Sequence, residues 1–207
     1  MLELDARTVQ SIAAYDANAR QYQESLRRRR PLQDVRRFAA LTDPGALVLD
    51  AGCGPATDLR VLRDAGLHPV GVDLSMGALR EARMLLPRQA LVRAPFTNVP
   101  FRERAFRGLW LSAAFAHLPR DQWAATLTTL MTFMSGGPVY FSTVRGSGDL
   151  APVDDPILGR IYRSDATEDD VERLLAAHGL RDLRVELRPD PVLERKRMWV
   201  VGLGRTV

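Results

Sequence analysis

Two acidic residues, each at the end of an apolar segment, have the type and spacing that suit ligand binding. Asp50 follows the uninterrupted apolar run ALVL, and Asp73 ends the segment VGVD. Asp73 lies about 20 residues after Gly52, the spacing expected of an acidic residue that binds ribose hydroxyls. A carboxylate can accept hydrogen bonds from both hydroxyls and repels a 2′-phosphate, so Asp73 predicts a nucleoside ligand. The alternative is that Asp73 caps the N-terminus of a helix, ahead of Ser75.

The turn after the first apolar segment joins a carboxylate to two glycines, in the order Asp50-Ala51-Gly52-Cys53-Gly54. Because glycine has no Cβ, the chain can turn sharply here and a ligand can approach the main chain closely. A carboxylate beside such a crevice suits a ligand that carries an ammonium group and no phosphates. Cys53 is the single cysteine, and its place inside the turn indicates steric fit rather than reactivity.

The same turn offers a second interpretation, the pyrophosphate site of a dinucleotide-dependent oxidoreductase. That fingerprint needs a third glycine and free backbone N–H groups at the start of the following helix. Here Thr57 occupies the third glycine position, and Pro55 has no N–H to donate. The dinucleotide alternative is therefore disfavoured.

Hydrophobic periodicity predicts an α/β protein with a doubly wound, mostly parallel, Rossmann-like sheet. Apolar residues at helical spacing predict two N-terminal helices, at 4–26 and 31–41. Strands and helices then alternate, and such sheets bind their ligands at the carboxyl ends of the strands. We expect a turn-rich loop at 145–155. Strands are predicted at 46–49, 68–73, 90–92, 106–114, 139–144, 183–187 and 198–203.

Composition indicates one globular domain. The 207 residues are 46% hydrophobic, enough for a sizeable core. We expect a single domain over residues 1–207, with an N-terminal helical cap at 1–45 and the sheet core at 46–207. The sequence shows no apolar run of membrane-spanning length and no secretion-signal pattern, and the lone cysteine agrees with a reducing compartment. These features predict a cytoplasmic protein without membrane association, and we predict no metal site.

The net charge of +4 rests almost wholly on arginine. Lys196 is the only lysine, and the one dense basic run is Arg27-Arg28-Arg29-Arg30. Such runs can bind phosphates, but most are the solvated ends of helices. The other arginines are scattered, without the interleaved aromatic residues of a nucleic-acid groove. Nucleic acid is therefore a disfavoured partner.

Several segments resemble the motifs of the class I S-adenosylmethionine-dependent methyltransferases. VLDAGCGP resembles their first motif, PFTNVPF their third, and LSAAFAHLP the loop after strand four. The segment YDANARQY resembles the helix that covers the cofactor in small-molecule members, the methyltransferase type 11-like subgroup. The resemblance extends over nearly the whole chain. It implies seven strands, the last of them antiparallel, and N-terminal helices over the cofactor site.

The resemblance implies S-adenosylmethionine as the cofactor and assigns residues to its parts. The glycine turn would hold the methionine end, Asp73 the ribose, and Leu74 with the Phe96 backbone the adenine. Two departures from the family concern cofactor affinity: Pro95 stands where an acidic residue usually meets the adenine amino group, and Ala56 replaces a glycine. The predicted cofactor-binding residues are Asp50, Ala51, Gly52, Cys53, Gly54, Asp73, Leu74, Pro95, Phe96, Ser112 and Tyr22.

We therefore predict methyl transfer to a small-molecule acceptor, with Tyr15 and His117 on the acceptor side. His117 follows the fourth strand, and its ordinary pKa near 6.5 would let it act as a general base. The favoured alternative is that His117 orders its loop through backbone hydrogen bonds, just as Tyr15 and Tyr22 can simply pack on the core. Two other functions stay open: an RNA or protein methyltransferase, and a nucleoside-binding protein without catalytic activity.

Overall fold

A computed structural model describes residues 4–26, 32–190 and 194–206. The basic run Arg27–Arg30 lies outside the described residues. The described part contains nine strands: β1 (Leu47–Ala51), β2 (His68–Asp73), β3 (Leu91–Arg93), β4 (Leu109–Ser112), β5 (Gly137–Val144), β6 (Ala151–Asp155), β7 (Gly159–Arg163), β8 (Arg181–Asp190) and β9 (Glu194–Thr206).

Seven of these strands form one sheet in the order β3-β2-β1-β4-β5-β9-β8. The first five pair in parallel, whereas β9 is antiparallel to both of its neighbours, β5 and β8. The reversal of strand order between β1 and β4 is the topological switch point at which such sheets bind ligands. The predicted Rossmann-like sheet with an antiparallel last strand is confirmed.

Six α-helices are described: α1 (Ala6–Leu26), α2 (Leu32–Ala40), α3 (Thr57–Asp64), α4 (Met76–Leu85), α5 (Trp123–Thr132) and α6 (Glu168–Ala177). Local sequence accounts for several helix starts. Ser75 accepts a hydrogen bond from the Ala78 N–H at the start of α4, and Thr167 and Asp170 form a reciprocal capping box at the start of α6. Within the described ranges no helix has both the length and the apolar character needed to cross a membrane.

Both faces of the sheet are covered, which explains why its central strands are apolar without alternation. On one face, Val48 and Trp110 pack with side chains of α2 and α3. On the other face, Leu49, Leu111 and Phe141 pack with side chains of α5 and α6. Adjacent residues of one strand thus enter different clusters, as strand geometry requires.

The predicted loop at 145–155 is wrong in part, because β6 and β7 form an antiparallel hairpin outside the main sheet. Strand β6 is hard to predict because it contains Pro152 and two aspartates, residue types that are depleted in strands. The outer edge of β7 is stabilised from α1: Tyr162 N–H donates to Ser11 Oγ at 2.9 Å. That partner is too distant in sequence for any local pattern to reveal it.

The predicted fourth strand, 106–114, is also too long. Strand β4 ends at Ser112, Ala113 takes a left-handed conformation (φ 55°), and Ala114–His117 form a 3₁₀ turn. This early turn brings His117 over the carboxyl ends of the parallel strands. Strands β8 and β9 are longer than predicted and pair along most of their length.

Candidate active site

A cleft lies over the carboxyl ends of β1, β2 and β4 and divides into two chambers. We call them the first chamber, which extends from Gly52 to Asp73 and Phe96, and the second chamber, which extends toward β7, β8 and β9. Helix α1 covers both. The wall that the chambers share is formed by Tyr15, Tyr22, Gly52, Gly54, Ser112, Ala113 and His117.

Asp73 joins the two turns that border the first chamber. Its Oδ2 accepts the Gly54 N–H and its Oδ1 accepts the Ser75 N–H, each at 2.8 Å. Burial raises the pKa of Asp73, and these backbone hydrogen bonds act against that rise. The helix cap is Ser75, so the capping alternative for Asp73 is wrong. Asp73 lines the chamber, where its remaining lone pairs can accept hydroxyl hydrogens.

Gly52 leaves the floor of the first chamber open. Its φ is +83°, and a Cβ at this position would lie 2.7 Å from Ala114 Cβ and 3.6 Å from Phe96 Cζ. A side chain here would therefore fill the space in which a ligand can contact the main chain. Ala56, at the glycine position of the first motif, also takes a left-handed conformation with φ 65°. The departure at Ala56 thus retains the backbone geometry that glycine would adopt more easily.

Asp50 contributes an unpaired carboxylate oxygen. The residue is 1% exposed and lines the second chamber, and within the described part of the chain its Oδ2 has no hydrogen-bond partner. Burial, reinforced by Asp58 and Asp73, raises the pKa of Asp50 well above its usual range. A buried acceptor without a donor is costly. An ammonium group from a ligand would supply both the missing donor and the opposite charge.

Of the other predicted cofactor-binding residues, some line a chamber and some are buried behind it. Leu74, Pro95 and Phe96 line the first chamber. Ala51 is fully buried in β1 and lines neither chamber, so its side chain belongs to the core. Cys53 is 6% exposed, and burial raises the pKa of its thiol well above the usual range, which agrees with the predicted steric role.

His117 is held through both ring nitrogens. Its Nδ1 lies 2.8 Å from the Tyr162 carbonyl oxygen, which can only accept, so we assign the proton to Nδ1. Nε2 then accepts the Tyr15 hydroxyl at 3.0 Å. Burial lowers the pKa of His117 and raises that of Tyr15 well above its usual range. The imidazole thus connects the 3₁₀ turn to α1 and the β6–β7 hairpin, and the predicted loop-ordering role accounts for all of these contacts.

Asp16, inside the YDANARQY segment, supports the first chamber from outside its lining, a role that sequence reasoning missed. Its Oδ1 accepts both the Ser75 Oγ–H and the Gly77 N–H at 2.7 Å. A Cβ at Gly77 would lie 2.6 Å from the Asp16 carbonyl oxygen, so α1 and α4 are in direct backbone contact there. The acidic residue between a tyrosine and a small residue was the available signal, but its partner on α4 could not be identified from periodicity.

We expect Asp16→Ala to lower the free energy of unfolding by about 2 kcal/mol, because two hydrogen bonds to an ionised acceptor are lost. Urea unfolding followed by circular dichroism measures this change. Asp64→Ala is the control, since Asp64 is exposed and lies 3.9 Å from Arg63; it should change stability by less than about 0.5 kcal/mol. Equal stability of the two variants would contradict the assigned contact.

The glycine turn and Asp73 lie within a segment of the chain that matches a known family of domains. Residues 48–137 match a family model described as a methyltransferase domain. This segment is similar to methyltransferase domains, and the chain has the fold of S-adenosylmethionine-dependent methyltransferases. In fold, the chain is similar to the 1,6-didemethyltoxoflavin-N1-methyltransferase of Burkholderia thailandensis. The TM-score is 0.74 at 20% identity, covering 100% of this chain and 93% of the other.

Two curated relatives are more similar in sequence over shorter segments. Malonyl-acyl-carrier-protein O-methyltransferase of Pseudescherichia vulneris is 34% identical over 110 residues, 51% of this chain and 41% of that protein. Trans-aconitate 2-methyltransferase of Rhodopseudomonas palustris is 35% identical over 103 residues, 45% of this chain and 39% of that protein. The chain thus spans about two fifths of the length of these relatives.

Proposed function

We propose that this protein transfers a methyl group from S-adenosylmethionine to a small-molecule acceptor. The observation that carries the proposal is the unpaired Asp50 Oδ2 at one end of an open glycine turn, with the Asp73 carboxylate at the other end. This arrangement fits a ligand with an ammonium group at one end and a ribose at the other. The curated relatives, by their names, methylate malonyl-acyl-carrier protein and trans-aconitate, and the second of these acceptors supports a small molecule here.

In this proposal each part of the ligand has its own protein contacts. Asp50 binds the ammonium group, Asp73 binds the ribose hydroxyls, and Leu74 and Phe96 pack on the adenine. Pro95 gives the adenine amino group no acidic partner, so Asp73 must contribute a large share of the affinity. S-adenosylmethionine supplies an activated methyl group, and alignment of the acceptor with water excluded is the main catalytic requirement. The acceptor enters through the second chamber.

The cofactor assignment is tested by calorimetric titration of the native protein with S-adenosylhomocysteine and, separately, with NAD. We expect saturable one-to-one binding of S-adenosylhomocysteine and at least about a hundredfold weaker binding of NAD, because the turn at Pro55 and Thr57 cannot bind a pyrophosphate. Tighter binding of NAD would support the oxidoreductase alternative instead.

The role of His117 is tested by a double-mutant cycle with Tyr15. Tyr15→Phe and His117→Asn both remove the Tyr15–His117 hydrogen bond, while the asparagine amide can still donate to the Tyr162 carbonyl. We expect each variant to lower turnover about three- to tenfold. The turnover of the double variant should be no lower than that of the less active single variant. Affinity for S-adenosylhomocysteine should stay unchanged. A hundredfold loss in His117→Ala, with turnover that depends on pH near neutrality, would support His117 as a general base instead.

A further inference from the structure

The second chamber contains three arginines, contributed by three different strands. Arg163 on β7, Arg188 on β8 and Arg197 on β9 line it, and the exposed fractions of their side chains are 16%, 22% and 18%. Partly buried guanidinium groups are uncommon away from a partner. Their convergence on one chamber provides positive charge and N–H donors that can bind a carboxylate of a ligand.

Each arginine is held in position by a carboxylate that does not line the chamber. Asp165 binds Arg163 through Nε at 2.6 Å and Nη2 at 3.3 Å. Glu186 binds Arg188 at 2.9 Å, and Asp190 lies 4.0 Å from Arg197. A guanidinium fork held in this way is preorganised and still presents further N–H donors.

Four carboxylates of the described residues line the chamber. Asp50 has the unpaired Oδ2 that the proposed function assigns to the ammonium group of the ligand, and the other three are already bound by donors of the protein. Asp34 accepts from Arg188 and from the Tyr140 hydroxyl, and Asp58 accepts the Trp110 indole N–H at 3.0 Å. Asp155 Oδ1 accepts two backbone N–H groups, at Ile157 and Leu158. These contacts reduce the repulsion that an anionic ligand would otherwise meet.

At the shared wall, the one imidazole that could accept a proton is already hydrogen-bonded through both ring nitrogens. His117 Nε2 is occupied by the Tyr15 hydroxyl, and Nδ1 donates to the Tyr162 carbonyl. An acceptor that must lose a proton during transfer could use His117 only by breaking the bond from Tyr15. A carboxylate needs no base, because it is already ionised at neutral pH.

We propose that the acceptor is a di- or tricarboxylic acid, with one carboxylate bound by Arg163 in the second chamber and another methylated at the shared wall. This inference rests on the proposed function. A carboxylate oxygen forms a bond to the methyl carbon while the S–CH₃ bond breaks, and the sulfonium sulfur keeps the electron pair and becomes a neutral thioether. The products are a methyl ester and S-adenosylhomocysteine, and no proton is transferred.

Arg163 has a matched control in Arg160, on the same strand. Residues 161 and 163 face the chamber, whereas Arg160 points to the other face of the hairpin and pairs with Asp154 at 3.4 Å. The Arg160 side chain is 63% exposed. Its replacement therefore removes only an exposed ion pair, which contributes little to stability. Arg163→Met and Arg160→Met thus remove the same positive charge from opposite faces of the hairpin.

The test uses malonate, succinate, glutarate and tricarballylate, with the corresponding monoamides, in the presence of methyl-labelled S-adenosylmethionine. Methyl esters release volatile labelled methanol on treatment with base, whereas N-, S- and C-methyl products do not. We expect base-labile label with at least one acid, a higher KM for its monoamide, and turnover nearly independent of pH between 6.5 and 8.5, as expected for an acceptor ionised throughout.

We expect Arg163→Met to raise the KM for that acid about thirtyfold or more, Arg163→Lys to recover part of the loss, and Arg160→Met to leave the KM unchanged. All three should bind S-adenosylhomocysteine as tightly as the native protein, which shows that they are folded. Label in a base-stable product, or no calorimetric binding of any of the four acids to the S-adenosylhomocysteine complex, would overturn the inference. If the native protein does not bind S-adenosylhomocysteine, that result would instead contradict the proposed function.

Discussion

Replacement of Asp73 by alanine should weaken binding of S-adenosylhomocysteine at least about a hundredfold. The proposed ribose contacts are two hydrogen bonds to an ionised acceptor, each of which contributes roughly 1.5–3 kcal/mol. The same carboxylate holds the Gly54 and Ser75 N–H groups at 2.8 Å. Its loss therefore also frees the two turns that shape the chamber. Calorimetric titration of the native protein and the variant measures the effect.

Asp73→Asn separates charge from shape. Asparagine has nearly the same size, but its NH₂ group must face the backbone N–H of either Gly54 or Ser75, and a donor facing a donor is unfavourable. We expect most of the affinity loss to persist in this variant. Asp64→Asn, at an exposed carboxylate on α3, serves as the control and should bind normally. An affinity of Asp73→Asn within about threefold of native would remove Asp73 from the ribose site.

Gly52→Ala should abolish measurable binding of S-adenosylhomocysteine. The new Cβ would lie 2.7 Å from Ala114 Cβ, a distance that forces the turn or the 3₁₀ segment to shift. The left-handed φ of +83° adds a backbone cost of about 1–2 kcal/mol. Both effects act directly on the floor of the first chamber, so we expect affinity to fall more than stability.

Gly66→Ala is the matched control for the backbone cost alone. Gly66 has nearly the same φ, +87°, but no atom lies within 4 Å of a Cβ built there, and it follows the end of α3 away from the cleft. Urea unfolding should show a loss of stability of about 1–2 kcal/mol from backbone strain in Gly66→Ala and a larger loss in Gly52→Ala, where the contact with Ala114 is added. Only Gly52→Ala should lose the ligand. Normal binding by Gly52→Ala would show that the ligand does not approach this part of the main chain.

The fold could be predicted from sequence where one local signal decided each element. Four consecutive apolar residues before Asp50 indicate a strand covered on both faces, and in the structure it lies at the centre of the sheet, paired with β2 over its whole length and with β4 at Leu49 and Asp50. Thr167 and Asp170 mark the start of α6 through contacts three residues apart. Such signals depend only on neighbouring residues, so a single sequence contains them.

The parts that were missed depend on distant partners. The hairpin of β6 and β7 is stabilised by Ser11 of α1, and the role of Asp16 depends on Ser75 and Gly77 of α4. Both contacts join α1 to elements far along the chain. The arginines of the second chamber were predicted only as scattered charges, because their strands converge in space and not in sequence.

The cofactor half of the site was easier to predict than the acceptor half for the same reason. Gly52 and Gly54 belong to one turn and Asp73 to the next strand, so their spacing encodes their proximity. The acceptor chamber draws on α2, β7, β8 and β9, whose mutual arrangement is a property of the whole fold. Arg163 could be assigned a role only after the hairpin had been seen.

The measurement that tests the central claim most directly is a crystal structure of the protein grown with S-adenosylhomocysteine. We predict the ribose hydroxyls within hydrogen-bond distance of the Asp73 carboxylate, the amino group beside Asp50 Oδ2, and the thioether sulfur at the wall shared by the two chambers, next to Tyr15 and His117. A ligand bound in the reverse orientation, or bound outside the first chamber with Asp50 Oδ2 still unpaired, would contradict the account.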